Sequence, residues 1–287
     1  MPYISRVDAG TVELVRSLGA RVVSSGDLVQ VFEASLTPAQ WRQHQRTAAA
    51  LRRIVFDAFA FVRKKVSRAE RLGEYEVQQH ILDGYQRQGL ISNADPIVAV
   101  NQNSAEPHYV PSQGRGRRIK MGDWVLLDIW AKPKPPAAVY ADITWCGFVG
   151  KNVPDKYERI FQIVRGARDR ALELVRTSFR RGKALRGYEV DRAARSYIEK
   201  HGYGKYFIHR TGHSIGREDH ANGANMDSLE TWETRRILPQ TLFSIEPGIY
   251  LKGFGARSEI DVFIDGNRPE VSGRPVQERV IPILGPA

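Results

Sequence analysis

Cysteine is almost absent from this sequence, which has only Cys146 among its 287 residues. One cysteine cannot form an internal disulfide, and its apolar neighbours predict a buried thiol, not a nucleophile. The chain also lacks an apolar run of about 18 residues, the length needed to cross a bilayer. Its N-terminus, MPYISRVDAG, lacks the basic-then-apolar pattern of a signal peptide. We therefore expect a cytoplasmic protein that does not insert into membranes.

What the chain does have is core material and positive charge. Hydrophobic residues make up 42% of it, enough for one large or two modest domains. The net charge is +11, and residues 151–200 supply most of it, with 14 lysines and arginines against 7 acids. Their pattern is that of two helices with solvated faces, without a helix-turn-helix, zinc-finger or RNA-binding signature. We expect a basic surface and no nucleic-acid partner.

Local patterns predict helices and short strands in mixed order. The clearest helix start is Thr37, Pro38 and Gln40, which combine a capping threonine, proline at the first helical position and a capping-box glutamine. The sequence predicts helices over 9–18, 37–66, 74–87, 154–179 and 188–200, and strands over 21–25, 97–101, within 124–150, and over 241–251, 256–265 and 280–284.

Two carboxylates lie inside apolar strands in the stretch 124–150. Two β-like runs, WVLLDIW and ADITWCGF, each carry one acid, Asp128 or Asp142, and a Pro/Lys loop joins them. A buried carboxylate is costly unless it is paired or binds a cation, and neither run contains lysine or arginine. Two interpretations remain open at this point: the acids face solvent at strand ends, or they bind a metal with further ligands downstream.

Further candidate ligands follow in the second half of the chain. Three of the seven histidines, His209, His213 and His220, fall in one stretch, and glycines flank His213. Glu246 and Glu259 then occur in strand contexts. Four carboxylates and one imidazole make a hard ligand set that suits Mn²⁺, Co²⁺, Fe²⁺ or Zn²⁺ in a two-metal hydrolytic centre. Cysteine ligands are missing, which argues against a structural zinc.

The order of these motifs resembles a known family. Asp, Asp, His in a GHxxG setting, Glu in EPGxY and Glu in R-x-E resemble the pita-bread metallopeptidases of family M24 over roughly residues 37–287. That family includes methionine aminopeptidase, aminopeptidase P, Xaa-Pro dipeptidase and creatinase. The HRTGH and PHY patterns look more like its proline-specific branch than like methionine aminopeptidase. The resemblance implies an α/β pita-bread fold, with a curved antiparallel sheet and helices on its outer face.

The resemblance also implies roles for the metal ligands. Asp128 would chelate one metal, Asp142 and Glu259 would bridge two, and His213 and Glu246 would complete the second. Glu246 would also shuttle the proton of the attacking hydroxide. The implied cofactors are two divalent ions, with Mn²⁺ expected first and Co²⁺, Zn²⁺ or Fe²⁺ as alternatives.

Four other residues match the substrate side of the family's site. His108, in EPHYVPS, matches the histidine near the leaving group, and His209 and His220 match histidines that line the pocket and stabilise the tetrahedral intermediate. Arg257 matches the arginine two residues before the last ligand, which orients a ligand or the substrate. The resemblance thus predicts a peptidase that cleaves before proline in short peptides.

Three departures from the family pattern affect this prediction. Asp128 and Asp142 are 14 positions apart where the family usually has 11, so we expect a longer hairpin that changes only the rim. Ala221 follows His220 where the branch usually has an acid, which puts that acid's role in doubt. Residues 1–36 stand where the proline-specific enzymes carry an N-terminal domain of more than a hundred residues, so either that domain is reduced here or the sequence is an excerpt of a longer protein. We therefore expect a remnant or connector at 1–36, a catalytic domain at 37–287, a more open site and a homodimer.

Two alternatives to an Xaa-Pro peptidase are considered. One is a creatinase-like amidinohydrolase that needs no metal, and the other is a non-catalytic pita-bread scaffold that binds a partner. Both branches of the family have lost metal ligands, whereas this sequence keeps all five positions. The complete ligand set therefore favours the metallopeptidase.

Overall fold

A computed structural model describes residues 7–285. The first six residues, part of the predicted 1–36 segment, lie outside that range. Within this range there are six α-helices: α1 Ala9–Ser17, α2 Gly26–Glu33, α3 Pro38–Ser67, α4 Glu74–Arg87, α5 Asp155–Arg180 and α6 Gly187–Lys200. Eleven strands are formed: β1 Leu90–Ile91, β2 Ile97–Val100, β3 Trp124–Pro133, β4 Ala141–Phe148, β5 Ser214–Ile215, β6 Leu242–Ile245, β7 Gly248–Leu251, β8 Phe254–Arg257, β9 Ile260–Asp265, β10 Arg268–Val271 and β11 Ile281–Pro282.

Five of the six α-helices within residues 7–285 begin within one residue of the predicted position, whereas α2 was not predicted from the sequence. The Thr37 hydroxyl accepts the backbone N–H of Gln40, and the Gln40 side chain accepts the N–H of Thr37, so the capping box that starts α3 is complete. Helix α4 has the predicted bounds, and Gly89 follows it at φ +66°, a conformation that suits glycine at a helix end. No helix within residues 7–285 is long and apolar enough to cross a membrane.

The long hairpin β3–β4 forms the centre of the fold. On one edge β3 pairs antiparallel with β1 and β2, and on the other edge β4 pairs with β11 in parallel. Residues alternate between two buried faces. The odd positions of β3 and β4 pack under α3 and α4, whereas even positions such as Trp124, Leu126, Cys146 and Phe148 pack toward α5 and α6. Cys146 is fully buried, as predicted, and burial raises the pKa of its thiol to about 12.

A second sheet faces the even-numbered side of this hairpin. Its strand order is β10-β9-β6-β5, with antiparallel pairs β10–β9, β9–β6 and β6–β5, and the separate hairpin β7–β8 lies beside it. The Asp142 backbone N–H donates to Asp261 of β9 at 2.9 Å, which joins the two sheets, and Gln277, in the segment between β10 and β11, bonds the Cys146 backbone in both directions. The space between them is where the predicted ligands lie.

Residues before α3 pack poorly against the rest. Helix α1 buries none of its residues, and α2 buries only Gln30, whose side chain bonds the backbones of Arg236 and Ala224. The predicted strand at 21–25 is wrong, because these residues are in irregular, mostly exposed backbone. A β-rich sequence forms a strand only beside a partner edge, and none runs along this segment in the described chain.

Substitution of two glycines in the β7–β8 hairpin tests the close packing of the strands. A methyl group on Gly255 would lie 1.9 Å from the Ser104 carbonyl oxygen, whereas one on Gly253 would meet no atom within 4 Å. We expect Gly255→Ala to lower the free energy of unfolding by about 3 kcal/mol, because backbone must move. The control Gly253→Ala should change it by less than about 0.5 kcal/mol. Urea unfolding measures both, and equal stability of the two variants would contradict this packing.

Candidate metal centre

The register of β3 and β4 places the two predicted aspartates on one face. Asp128 lies opposite Thr144, and Asp142 is two residues from Thr144 on the same strand, so the three side chains are neighbours on the inner face. Asp128 is 8% exposed and Asp142 is 5% exposed. The interpretation that these acids face solvent at strand ends is therefore wrong.

The third and fourth predicted ligands come from the second sheet. His213 precedes β5 and Glu246 follows β6, and the antiparallel pairing of these strands brings them together. His213 Nε2 lies 3.3 Å from Glu246 Oε1 and 3.6 Å from Asp142 Oδ2. Its Nδ1 is 3.3 Å from the Ser214 carbonyl, which fixes the tautomer that leaves Nε2 facing the carboxylates. A methyl on Gly212 would lie 2.1 Å from the Ser244 carbonyl oxygen, so only glycine permits this approach.

Thr144 connects the fifth predicted ligand to the first. Its hydroxyl lies 2.8 Å from Asp128 Oδ1 and 2.9 Å from Glu259 Oε2. Because a hydroxyl has only one proton, it can donate to one of these carboxylates at a time. Glu259 is nearly fully buried, between β8 and β9. Burial, together with the charges of Glu246 and Asp128, raises the pKa of Glu259 well above its usual value.

Several buried carboxylate oxygens at this point have no hydrogen-bond partner within residues 7–285. They include Asp142 Oδ1 and Glu259 Oε1. Burial and then the charge of Glu259 raise the pKa of Asp142 well above its usual value. Ligand atoms of Asp142, His213 and Glu259 lie within 4.8 Å of one another. Buried, unpaired oxygens beside a free imidazole nitrogen fit a divalent cation, which would satisfy the oxygens and relieve the repulsion.

Arg257 provides a positive charge at the other end of this cluster. It pairs with Asp128, donates to Thr144 Oγ1 at 3.1 Å and donates to the Tyr250 hydroxyl at 2.8 Å. Burial alone would lower the pKa of Arg257, but the combined effect of Asp128, Tyr250, Glu246 and Glu259 outweighs burial, and the pKa is raised well above its usual value. Asp128 is thus held by protein partners on one side, whereas Asp142, His213, Glu246 and Glu259 converge directly.

The predicted substrate residues line the cavity above these ligands. The cavity has a volume of about 610 Å³, and its wall includes His108, His209 and His220. His209 has both ring nitrogens engaged, with Nδ1 2.7 Å from the Arg210 carbonyl and Nε2 2.7 Å from the Tyr250 hydroxyl. Burial and the charge of Arg257 lower the pKa of His209 to about 3, so the ring is neutral. His108 is exposed, and the His220 ring leans on His213 with centroids 4.2 Å apart.

Sequence reasoning missed four residues that hold or line this site. Thr144 could have been found from its two-residue spacing from Asp142, and Tyr250 from its place in the EPGIY motif. No sequence motif marks Asp261 or Asp219 as a site residue, because their roles depend on contacts with strands and loops that are distant along the chain. Asp261 accepts the Asp142 N–H, and behind it His44, whose pKa burial lowers to about 4, lies 3.6 Å away.

The fold and site together define a class: an α/β protein with a carboxylate-rich candidate metal centre between two sheets. The profile of metallopeptidase family M24 matches residues 43–266, and the chain belongs to that family. It is 34% identical to the Xaa-Pro dipeptidase of Pyrococcus furiosus over 178 residues, 60% of this chain and 45% of that protein. It is 30% identical to the Xaa-Pro dipeptidase of Lactobacillus helveticus over 209 residues, 72% of this chain and 50% of that protein.

A solved structure gives the same result for the fold. The Xaa-Pro dipeptidase from Bacillus anthracis aligns with a TM-score of 0.74 and 27% identity, covering 96% of this chain and 72% of that chain. The predicted pita-bread fold and the placement in the proline-specific branch are therefore confirmed. The chain spans about half the length of the curated relatives it matches.

Metal-dependent stability tests the centre without any substrate. Removing one carboxylate charge in Asp142→Asn should stabilise the metal-free protein, because the buried acids repel one another. The same change should abolish most of the rise in melting temperature that metal gives to the native chain, because only the folded state binds the cation tightly. Thermal unfolding with EDTA and with added Mn²⁺ measures both effects. A metal-induced shift equal to that of the native chain would contradict the assignment of Asp142.

Proposed function

We propose that this chain is a dinuclear metal-dependent peptidase that hydrolyses the bond before proline in short peptides. The observation that carries the proposal is the convergence of four predicted ligands, Asp142, His213, Glu246 and Glu259, the first three of which line one cavity, in a chain of family M24. The two curated relatives described above are Xaa-Pro dipeptidases, which does not favour the scaffold or the amidinohydrolase alternative.

The proposed ligands follow the order of the family. Asp128 would hold one ion, Asp142 and Glu259 would lie between two ions, and His213 and Glu246 would complete the second. Bound divalent cations supply Lewis acidity and lower the pKa of a water ligand. The ligand set is oxygen-rich with a single imidazole, which supports Mn²⁺ over the softer alternatives Co²⁺, Zn²⁺ and Fe²⁺.

Glu246 is the proposed proton carrier. It lines the cavity and is only partly buried, whereas Asp142 and Glu259 are buried. Its Oε1 lies 3.2 Å from the Ser244 hydroxyl, which donates to it, and its Oε2 lies 3.8 Å from Arg257 Nε. Both contacts orient the carboxylate toward the cavity. A carboxylate so placed can take a proton from the attacking water and pass it to the leaving amine of proline.

The histidines and Arg257 have different proposed roles. His108 and His220 reach the cavity with exposed rings and would contact the substrate around the scissile bond. The two hydrogen bonds of His209 favour a wall of fixed shape over proton donation by this ring. Arg257 would orient Asp128 and Thr144, because its three contacts there are all to protein groups.

Domain organisation and assembly are also part of the proposal. We assign residues 37–287 to the catalytic domain and 1–36 to a connector, in a cytoplasmic homodimer. Ten of the seventeen large apolar side chains that are exposed within residues 7–285 lie between residues 7 and 32. In α2 the polar Gln30 faces the protein, while Leu28 and Phe32 face outward. Such a patch is commonly covered by self-association.

A peptidase assay tests the reaction and the role of Glu246 together. We expect the native chain with Mn²⁺ to cleave Ala-Pro and Ala-Pro-Ala with weak discrimination between them, because the site is expected to be open. Glu246→Gln keeps the volume but removes the proton carrier, so turnover should fall at least about 100-fold. Glu218→Gln, on an exposed acid nearby, is the matched control and should keep activity. Failure of the native chain to cleave either peptide with any divalent metal would refute the function, and near-native turnover of Glu246→Gln would refute the role.

Assembly is tested by light scattering at micromolar concentration. We expect a dimer for the native chain and a monomer for the double variant Leu28→Ser, Phe32→Ser, because two outward apolar side chains of α2 are lost. Met121→Ser, which alters an equally exposed side chain elsewhere, should remain dimeric. A native chain that is already monomeric would contradict the dimer, and a dimer that persists in the double variant would place the interface elsewhere.

A further inference from the structure

The loop after β5 places one more carboxylate at the metal centre. Backbone hydrogen bonds join Gly216 to Glu218 at 3.0 Å and Ala221 to Ser214 at 2.8 Å, and the Tyr140 N–H donates to the Gly216 carbonyl at 2.9 Å. The loop is therefore closed on itself and tied to the entry of β4. Its position 219 faces the cavity that contains the metal ligands. The backbone on both sides of Asp219 is thus held in place, with the residue at the cavity wall.

Like Asp142 and Glu259, the two proposed bridging ligands, Asp219 has a buried carboxylate oxygen without a hydrogen-bond partner within residues 7–285. The residue is 8% exposed, and its Oδ1 has no hydrogen-bond partner within residues 7–285. Its other oxygen, Oδ2, lies 3.7 Å from His220 Nε2, which is beyond hydrogen-bond distance. Asp142 Oδ1 and Glu259 Oε1 are also buried and unpartnered. Burying an unpaired carboxylate oxygen is costly, so each of these oxygens needs a positive partner.

His213 is shared by two candidate groups of ligands. Its ligand atom lies within 4.8 Å of those of Asp142 and Glu259, and the same criterion joins it to Asp219 and His220. Since Nδ1 of His213 faces the Ser214 carbonyl, only Nε2 is free for a cation. One nitrogen binds one ion. The two groups therefore converge on a single cation and do not define two independent sites.

We propose that Asp219 is an additional carboxylate ligand of the cation held by His213. The inference rests on the metal centre of the proposed function, but not on its peptide specificity. Asp219 also supplies a carboxylate at the position before His220, whereas the branch usually has an acid at the position after it, which is Ala221 here. A further hard oxygen ligand adds negative charge and raises the coordination number, which favours Mn²⁺ over a tetrahedral Zn²⁺.

Metal titration of matched variants tests this ligand. Asp219→Ala and Asp219→Asn remove the charge at the buried position, and Glu218→Gln removes the same charge at the exposed residue before it. After stripping with EDTA, each protein is titrated with Mn²⁺ by calorimetry. Loss of groups around a metal weakens its affinity about 10–100-fold, and we expect at least about 10-fold for one of the two ions in both Asp219 variants. Glu218→Gln should match the native chain.

Cobalt spectroscopy separates direct ligation from a long-range charge effect. The visible absorption of bound Co²⁺ depends on the number and geometry of its ligands, so it should change in Asp219→Ala and stay native in Glu218→Gln. The metal-free variants should melt at or above the native temperature, because a buried charge among like charges has been removed. That result excludes misfolding as the cause of weaker binding.

The opposing outcomes are distinct. Native Mn²⁺ affinity and a native Co²⁺ spectrum in both Asp219 variants would overturn the ligand, and a raised KM alone would assign Asp219 to the substrate's ammonium group instead. Weaker metal binding in both Asp219 variants, together with a native chain that cleaves no Xaa-Pro peptide, would keep the ligand and refute the proposed function.

Discussion

Repulsion among buried carboxylates is the constraint on which this structure depends. Asp128, Asp142, Glu259 and Asp261 are all nearly inaccessible to solvent, and burial together with neighbouring carboxylates raises the pKa of Asp142 and of Glu259 well above its usual value. The protein itself offsets part of this cost with one buried guanidinium, that of Arg257, which pairs with Asp128. The remaining oxygens fit a cation. The most costly part of the fold is therefore the part that the proposed chemistry requires.

The two sheets provide the rigidity that holds these charges together. Asp128, Asp142 and Thr144 are fixed by the register of one hairpin, and His213 and Glu246 by the pairing of another strand pair. Glycines allow the close approaches between strands and loops, as at Gly212 and Gly255, where a methyl group would overlap a carbonyl oxygen. Side chains on paired strands keep their spacing better than side chains on loops, and a metal centre needs that precision.

The helices show which structural features can be predicted from residues that are close together in the sequence. The capping box of Thr37 and the glycine after Arg87 define helix ends through contacts within a few residues, and these ends are where the sequence predicts them. The predicted strand at 21–25 failed for the opposite reason, since a strand needs a partner edge that no local pattern specifies. The exposed apolar side chains of α1 and α2 lie on either side of this segment. Their residue types favour burial, but the described part of the chain does not cover them.

By itself, the sequence determined the family, the pita-bread fold and the identity of five ligand candidates, because their residue types occur in order within short motifs. Only the tertiary structure decided which partners each of them has. It placed Arg257 against Asp128, joined Asp128 to Glu259 through Thr144, and set Asp219 beside His213. These relations join residues as many as 129 positions apart. Spacing along a chain carries no information about such contacts until strand pairing brings the segments together.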